Sequence, residues 1–562
     1  MPGFDNDLYL RMQSEHIRDR IRSAGGKLYL EFGGKLFDDY HASRVLPGFM
    51  PDSKIRMLME FGDQAEAIIA ISAEDIVHNK VRKDFGVGYD MEALRLVDSF
   101  HDRGIPVCGI VITRYNGQAP ADEFQRKAEA LGLKVYRHYP ISGYPSNVDL
   151  IASDDGYGRD EFVKTTRPLV VVTAPGPGSG KMAVCLSQLY NENRRGVAAG
   201  YAKFETFPIW NIPLNHPVNI AYEAATLDLK DVNMIDPFHL EAYGKTCVNY
   251  NRDIEIFPVL NAILDGIYGE SPYRSPTDMG VNMAGNCITD DAAVCEASRK
   301  EISRRYFGVL RDRREGRADE DDVLRVEALM KRAGISPESR NAVVTVRRLA
   351  SESDRPAVCA ELPDGRLVTG RASALLTASS AMMLNALKIL AGIEDDALLI
   401  SPTMIRSMQK LKMDYLGNRN PRLHVDELLV ALAIVAESDP VVEDAMRTIP
   451  LLRGSDVHSS VVISSVDEGM FKKLGMYVST EPEHQTKCLF HWEDRVLRSF
   501  RGCFGPAPGS DGRCRRREGR RSIPQARGSM VRTEGDGAPR VRPCGRSPWR
   551  GGSPSPPRIS PT

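Results

Sequence analysis

The segment TTRPLVVVTAPGPGSGKMAVCLSQLYNE, residues 165–192, decides the fold. The apolar run at 168–175 predicts a buried strand, and a glycine-rich turn leads from that strand into a helix. One face of the helix carries its apolar side chains, Met182, Cys185, Leu186, Leu189 and Tyr190. A buried strand followed by an amphipathic helix is the unit from which a helix-covered parallel sheet is built.

The turn itself is suited to a negatively charged ligand. Gly176, Gly178 and Gly180 permit positive φ angles and a close approach of the main chain to an anion. The amide groups of Ser179, Gly180 and Lys181 lie where a helix begins, and there the helix dipole and unpaired donors favour phosphate. Lys181 adds a mobile positive charge. The turn therefore predicts phosphate binding; the alternative is a strand–helix turn whose glycines serve only close packing.

The pattern resembles the P-loop, G-x-x-x-x-G-K-[ST], and departs from it at two positions. Pro175 occupies the first glycine position, and Met182 stands where the P-loop has the hydroxyl that binds Mg²⁺. We expect ATP or another phosphorylated ligand, with Mg²⁺ possible. Any Mg²⁺ ligand would be Ser179, Thr173 or a residue elsewhere, because methionine offers no oxygen.

The sequence after the helix, VAAGYAKFETFPIW and on to MIDPFHLEAYG (197–244), is similar to the corresponding part of dethiobiotin synthetase-type ATP-dependent enzymes. In those enzymes a lysine on the next strand helps to hold substrate or phosphate. Over about 75 residues the resemblance implies activation of a carboxylate or amide by ATP. Lys203 would then hold the second substrate, and Glu205 or His239 would handle protons.

His239 has a second interpretation. A histidine beside Asp236 or Glu241 could act as a general acid or base. The alternative is an ordinary helix start, in which Asp236 caps the helix and Pro237 takes its first position.

The surrounding chain repeats the alternation of strands and helices. Short runs rich in Val, Ile and Tyr predict further strands at 27–36, 66–75, 106–116, 133–141 and 148–153. Apolar residues three and four apart predict helices at 91–104 and 121–132. The fold class is therefore α/β with a mostly parallel sheet, in a first domain at residues 1–289.

The second half is organised differently. Charged, closely linked helical patterns predict a helical insertion at 290–351. A hairpin at 358–370 around Asp364-Gly365, helices at 373–392, 403–416 and 425–437, and strands at 457–465 and 474–480 predict a second, smaller α/β unit at 352–486.

Charge separates the last residues from the rest. Residues 495–562 contain sixteen Arg, no Lys and four acidic residues, which leaves 58 basic and 71 acidic residues in 1–494. We expect 487–562 to be a disordered Arg/Gly/Pro-rich tail. Its composition is typical of GC-rich DNA translated in the wrong reading frame, so we interpret the tail as non-native; the alternative is a basic arm that binds nucleic acid. The acidic remainder gives no electrostatic case for nucleic acid.

The composition limits the classes of protein to which this chain can belong. The 562 residues are 42% apolar, with ten scattered Cys, a polar N-terminus and no apolar run long enough for a membrane helix. These features predict a cytoplasmic protein with thiols rather than disulfides and no zinc site. Motifs of zinc and serine hydrolases, EF-hands and dinucleotide-binding folds are absent from the sequence.

Five segments together are similar to the bacterial uncharacterised protein family 0371, also called domain of unknown function 1846. They are YLEFGGKLFDDYHASRVLPGF (29–49), VVVTAPGPGSGKM (170–182), SPTDMGVNMAG (275–285), GNRNPRLH (417–424) and HSSVVIS (458–464). The resemblance extends over about residues 5–482 and implies a bacterial protein with a coherent fold, but no reaction.

Two functions from different classes follow. The first is a nucleotide-dependent phosphotransferase or ligase that acts on a carboxylate-type small molecule. The second is a non-catalytic or regulatory protein, assembled as a homo-oligomer, that holds a phosphorylated metabolite without turnover. Met182 favours the second, because a lost metal ligand weakens hydrolysis more than binding.

Overall fold

The computed structural model describes residues 3–33, 35–82 and 86–485. The predicted tail at 487–562 lies outside the described residues. The strands are β1 (Leu28–Phe32), β2 (Ala65–Ser72), β3 (Val81–Arg82), β4 (Val87–Gly88), β5 (Val107–Thr113), β6 (Val135–Arg137), β7 (Leu169–Thr173), β8 (Gly200–Phe204), β9 (Asn233–Ile235), β10 (Val248–Tyr250), β11 (Gly280–Val281), β12 (Ala357–Glu361), β13 (Leu367–Arg371), β14 (Asp456–Ser459) and β15 (Tyr477–Thr480).

The helices are α1 (Asn6–Ser23), α2 (Tyr40–Val45), α3 (Ser53–Met59), α4 (Ala73–Val77), α5 (Tyr89–His101), α6 (Ala119–Ala130), α7 (Val148–Ile151), α8 (Lys181–Arg194), α9 (Pro217–Ala225), α10 (Pro237–Tyr243), α11 (Asn251–Tyr268), α12 (Pro276–Met279), α13 (Asp291–Arg314), α14 (Glu320–Arg332), α15 (Asn341–Ser353), α16 (Ala378–Ala391), α17 (Pro402–Lys410), α18 (Val425–Ala436), α19 (Pro440–Arg447) and α20 (Ser465–Lys473). A π-helical turn, Leu411–Tyr415, continues α17. Within the described residues, no helix combines the length and the apolar character needed to cross a membrane.

Seven strands form one sheet in the order β11-β8-β1-β7-β2-β5-β6, and every pairing in it is parallel. Both faces of the sheet are covered. Side chains of α8 and α11 pack on one face, and side chains of α1, α3, α5, α6 and α9 pack on the other. Burial on both faces explains why β2 and β7 are almost wholly apolar rather than alternating. The predicted α/β class with a mostly parallel sheet is confirmed.

One predicted strand is wrong. Residues 148–153 begin with α7, because the Asn147 side chain accepts from the Leu150 amide and caps a helical turn. Val148 and Ile151, three residues apart, then turn toward the same side, and only Ile151 is fully buried.

The predicted helices at 290–351 are present as α13, α14 and α15. Ile302 of α13 and Met330 of α14 belong to the core under the large sheet. In α15, by contrast, Ala342 and Val346 pack against Cys359 of β12. The three helices therefore divide between two cores, and the predicted domain boundaries remain predictions.

The second sheet has the order β13-β12-β14-β15. The β12–β13 hairpin around Asp364-Gly365 is confirmed as antiparallel, β14 adds antiparallel to β12, and β15 adds parallel to β14. Side chains of α16, α18, α19 and α20 complete its core. The second, smaller α/β unit is thus present.

A chain of buried ion pairs joins the first part of the molecule to the second sheet. Arg44 makes a bidentate contact with Glu301 of α13, at 2.8 and 3.0 Å. Arg304 lies 2.9 Å from both Glu301 and Asp456, and Arg340 holds Asp456 with a second fork, at 2.7 and 2.9 Å. Burial disfavours the charged form of Asp456, but the two guanidinium groups hold the pKa of Asp456 below its usual range.

We expect Asp456→Ala to lower the free energy of unfolding by about 3–5 kcal/mol, because it leaves two guanidinium groups buried without their carboxylate. The control is Glu443→Ala, which breaks an exposed ion pair with Arg447 in the same unit and should cost about 1 kcal/mol or less. Denaturant unfolding of both variants measures the difference. Equal costs would show that the buried pairs contribute no more than surface pairs.

Candidate functional site

The glycine turn lies between β7 and α8 and is attached to β5, two strands away in the sheet. The Thr113 hydroxyl, at the end of β5, donates to the Ser179 carbonyl at 2.9 Å. The Ser179 hydroxyl donates to the Gly176 carbonyl at 3.1 Å. The predicted strand, turn and helix are confirmed, and Lys181 is the first residue of α8.

The three glycines are required for different reasons. Gly178 and Gly180 have φ angles of +81° and +86°, in the left-handed region that other residues rarely adopt. A Cβ at Gly180 would also lie 3.0 Å from Thr113 atoms, and one at Gly176 would lie 2.1 Å from the Tyr89 hydroxyl. Close packing therefore accounts for Gly176, while nothing lies within 4 Å of a Cβ at Gly178.

Lys181 is half-buried where α8 begins, and its ammonium has no hydrogen-bond or ion-pair partner among the described residues. Burial lowers the pKa of Lys181; the negative charge of Glu31 opposes this shift, and the positive charge of Lys203 adds to it. An ammonium without a counter-ion at a helix N-terminus has the chemistry to bind an anion.

Glu31 and Lys203 are adjacent at the carboxyl edge of the sheet. They are register partners on β1 and β8, on the face that α8 and α11 cover. Glu31 is 8% exposed, and one of its oxygens accepts from the Tyr201 hydroxyl at 2.7 Å. The predicted substrate lysine thus lies beside a buried carboxylate that the sequence analysis did not single out.

Lys203 is fully engaged by other side chains. Its ammonium contacts Asp253 and the Tyr250 hydroxyl, and it lies 3.0 Å from an oxygen of Glu205. Burial alone would lower the pKa of Lys203, but Asp253 and Glu205 raise it well above its ordinary value. With three oxygen partners for three N–H donors, Lys203 has no free donor for a substrate.

Glu205 is the group in this cluster that titrates near neutrality. Burial and the nearby charge of Asp253 outweigh the attraction of Lys203 and raise the pKa of Glu205 to about 7. A carboxyl group with such a pKa can both accept and donate a proton at neutral pH. The predicted proton-handling role of Glu205 remains a prediction, now with a physical basis.

A cavity of about 40 Å³ lies between the sheet, the start of α8, the first three turns of α11, and α12. Polar groups of Glu31, Tyr201, Lys203 and Asp253 line it, together with the apolar side chains of Met182, Ile256, Phe257, Leu260, Pro276 and Met279. That volume holds a few water molecules or one small group. The cavity is therefore too small to enclose a nucleotide.

Two family models divide the chain between them. The model described as "Domain of unknown function DUF1846, N-terminal" matches residues 2–334, and the model of the corresponding C-terminal domain matches 338–490. This chain belongs to the UPF0371 (DUF1846) family. The boundary between the two models falls between α14 and α15, where the structure passes from one core to the other.

Relatives in the UPF0371 family come from several bacteria. A UPF0371 protein of Streptococcus thermophilus is 52% identical over 488 residues, which are 87% of this chain and 99% of the relative. UPF0371 proteins of Corynebacterium urealyticum and Corynebacterium diphtheriae are each 53% identical, again over 87% of this chain and 98% of the relative. The expected resemblance is confirmed, and it assigns no activity.

In this UPF0371 chain the His239 ring makes no hydrogen bond or ion pair with Lys203, Glu205 or Asp253 among the described residues. Asp236 caps α10 by accepting from the His239 amide at 3.0 Å, and Pro237 is the first helical residue. The His239 ring contacts Ser275 at 3.0 Å and Asp278 at 3.7 Å. The ordinary helix start is thus confirmed, and an acid–base role for His239 remains a prediction.

A second cluster has metal-ligating side chains. His216 Nε2 lies 2.9 Å from Asp291 and 3.5 Å from the Cys295 sulfur. The other ring nitrogen, Nδ1, accepts from the Val218 amide, so the ring proton lies on Nε2. Because a metal would need the lone pair of that same nitrogen, the arrangement favours a hydrogen-bonded cluster.

The sequence analysis missed Glu31, Tyr250 and Asp253. Glu31 carried a signal, because a lone acid inside the apolar run LYLEF must be buried if the run is a strand covered on both faces. Asp253 looks like an ordinary acid in the first turn of α11. Only the fold shows that it reaches Lys203.

We expect Gly180→Ala to cost more stability than Gly178→Ala. Both place a side chain at positive φ, at about 1–2 kcal/mol, but only Gly180 is also crowded by Thr113. Unfolding midpoints of the two variants provide the measurement. If their costs match, the Thr113 contact does not restrain the turn.

We expect Glu205→Gln to flatten the pH dependence of stability between about pH 4.5 and 7. The folded state holds the Glu205 proton more tightly than the unfolded state, so wild-type stability falls as pH rises through this window, by up to about 1 kcal/mol per pH unit. Lys203, Asp253 and Tyr250 face Glu205 in both proteins. Denaturant unfolding at a series of pH values across this range measures the effect. The control is Glu255→Gln, at an exposed position, whose stability should depend on pH as that of wild type does.

Proposed function

We propose that this chain binds a phosphorylated small molecule, such as ATP, on the glycine turn, and uses it to transfer a phosphoryl group or to activate a carboxylate. The observation that carries the proposal is the unpaired, half-buried Lys181 ammonium at the start of α8. Holding this charge without a counter-ion has a cost, and a bound phosphate would remove it.

The surroundings of Lys181 support the same ligand. The 14-residue α8 directs its N-terminus, with free amide donors, at the turn. Pro177 and Gly178 are exposed on the outer side of the turn, where their carbonyls accept from the basic side chains of Lys80 and Arg114. The 18-residue α11 also begins at the cavity, through Asp253.

The proposed reaction would use the neighbouring cluster to handle protons. Glu205 lies on the strand end beside the cavity and titrates near neutrality. When Glu205 takes up a proton, Lys203 loses part of its charge compensation, and its ammonium becomes available to a substrate carboxylate. Lys203 and Glu205 thus form a coupled pair in this proposal, rather than two independent groups.

A second candidate is a binding protein without turnover, and two observations favour it. Lys203 is saturated by protein oxygens, and the cavity is too small for a second substrate beside a nucleotide. A cytoplasmic location and a homo-oligomeric state remain predictions for either function.

Thermal unfolding in the presence of ATP, ADP, pyrophosphate and sugar phosphates tests binding, with Lys181→Ala as the variant and the exposed Lys127→Ala as its control. A ligand at 100 times its Kd should stabilise wild type by about 2.7 kcal/mol. Losing one charge-assisted contact should weaken binding about 10- to 100-fold in Lys181→Ala and leave Lys127→Ala unchanged.

The outcomes separate the candidates. If none of these compounds stabilises wild type, both functions fail. If Lys181→Ala responds like wild type, the ligand binds somewhere other than the turn. Binding without Mg²⁺-dependent phosphate release in the presence of candidate carboxylic acids favours the non-catalytic protein.

A further inference from the structure

A phosphorylated ligand brings several negative charges to the turn, and the residues that a P-loop would use for a cation are not available. Met182 has no oxygen in its side chain. Ser179 is fully buried, and its hydroxyl donates to the Gly176 carbonyl within the turn. Apart from Thr173, the last residue of β7, any oxygen ligand for a cation would come from another strand or helix.

Glu31 is placed to supply that oxygen. It lies near the carboxyl end of β1, which pairs directly with β7, the strand that leads into the turn. Its carboxylate is more than nine-tenths buried and lines the cavity together with Met182. One oxygen accepts from Tyr201, and the other has no partner among the described residues.

Glu31 differs from the other acidic residues at the cavity because it forms no ion pair with any described residue, although the charges of Lys181 and Lys203 both act on it. Asp253 and Glu205 both contact the ammonium of Lys203 and share its charge. A phosphate bound by Lys181 would leave the carboxylate of Glu31 facing another anion, which is unfavourable without a cation between them.

We propose that Glu31 is the protein ligand of a divalent cation of the Mg²⁺ class, which bridges its free oxygen to phosphate oxygens of the ligand on the glycine turn. Mg²⁺ in proteins is commonly held by one or two carboxylates, substrate phosphates and several waters. The cavity offers one free carboxylate and room for a few waters. No histidine or cysteine lines it, so its donors suit Mg²⁺ or Mn²⁺ rather than Zn²⁺.

This inference rests on the proposed function, since the phosphate completes the cation's ligands. The test uses full-length protein, inorganic pyrophosphate as the phosphate probe and Mn²⁺ as the metal probe. Calorimetry gives the pyrophosphate affinity with and without Mn²⁺, and electron paramagnetic resonance reports bound Mn²⁺ directly. The variants are Glu31→Gln, Glu31→Asp and the matched control Glu255→Gln, an exposed acid of α11.

We expect Mn²⁺ to tighten pyrophosphate binding at least tenfold in wild type and in Glu255→Gln. Glu31→Gln should lose this gain and bind metal-free pyrophosphate at least as tightly as wild type, because it removes a negative charge beside the phosphate. Glu31→Asp should recover part of the gain because it retains a carboxylate. In the resonance spectrum, the bound Mn²⁺ signal that depends on pyrophosphate should disappear only in Glu31→Gln.

Other results overturn the inference in distinguishable ways. If Glu31→Gln shows the full Mn²⁺ gain, the cation has another ligand, and the proposed function stands. If Glu31→Gln also loses metal-free binding while its melting temperature is unchanged, Glu31 shapes the turn rather than holding a metal. If pyrophosphate binds wild type neither with nor without Mn²⁺, the proposed function fails together with this inference.

Discussion

The parallel pairing of β1 with both β7 and β8 is the constraint on which the rest of the structure depends. Parallel strands end at the same edge of a sheet, so this pairing brings the glycine turn, Glu31 and Lys203 together from segments about 20 to 170 residues apart. The helices that start at this edge, α8 and α11, add their N-termini. No local sequence signal would assemble these groups without that register.

Charge at this edge is nearly balanced by the protein itself. Lys203 is shared among Asp253, Glu205 and Tyr250, while Lys181 and Glu31 have no ion partner within the described part of the chain. Buried charges normally pair, because desolvation is costly. Lys181 and Glu31 feel each other's charge without forming an ion pair, and the proposed binding of a charged ligand depends on these two groups.

Much of the architecture could be predicted from the sequence, because its signals are local and strong. The apolar run of β7, the glycines of the turn and the Asp364-Gly365 hairpin each follow from short-range chemistry. The strand predicted at 148–153 was wrong because a single side chain, Asn147, caps a helical turn there. Short apolar runs do not by themselves separate strand from helix.

The candidate site was less accessible to prediction, for a physical reason. The partners of Lys203 come from α11, and their positions depend on tertiary packing rather than on spacing in the chain. Glu205 was predicted to be a site residue because it lies two positions after Lys203 in the sequence. Its raised pKa, however, comes from its burial and from the nearby charge of Asp253, and the sequence shows neither the burial nor that contact. Phosphate binding, catalysis by Lys203, Glu205 and His239, and any cofactor remain predictions.

The buried series from Arg44 through Glu301, Arg304 and Asp456 to Arg340 also bears on how this protein can evolve. Each charged side chain is paired with the next one, so replacing one alone leaves its neighbours buried without an ion-pair partner. Substitutions along the series should accordingly be inherited as compensating sets. In distant relatives we expect either the whole series or apolar side chains at all of its positions, and rarely a series that lacks only one member.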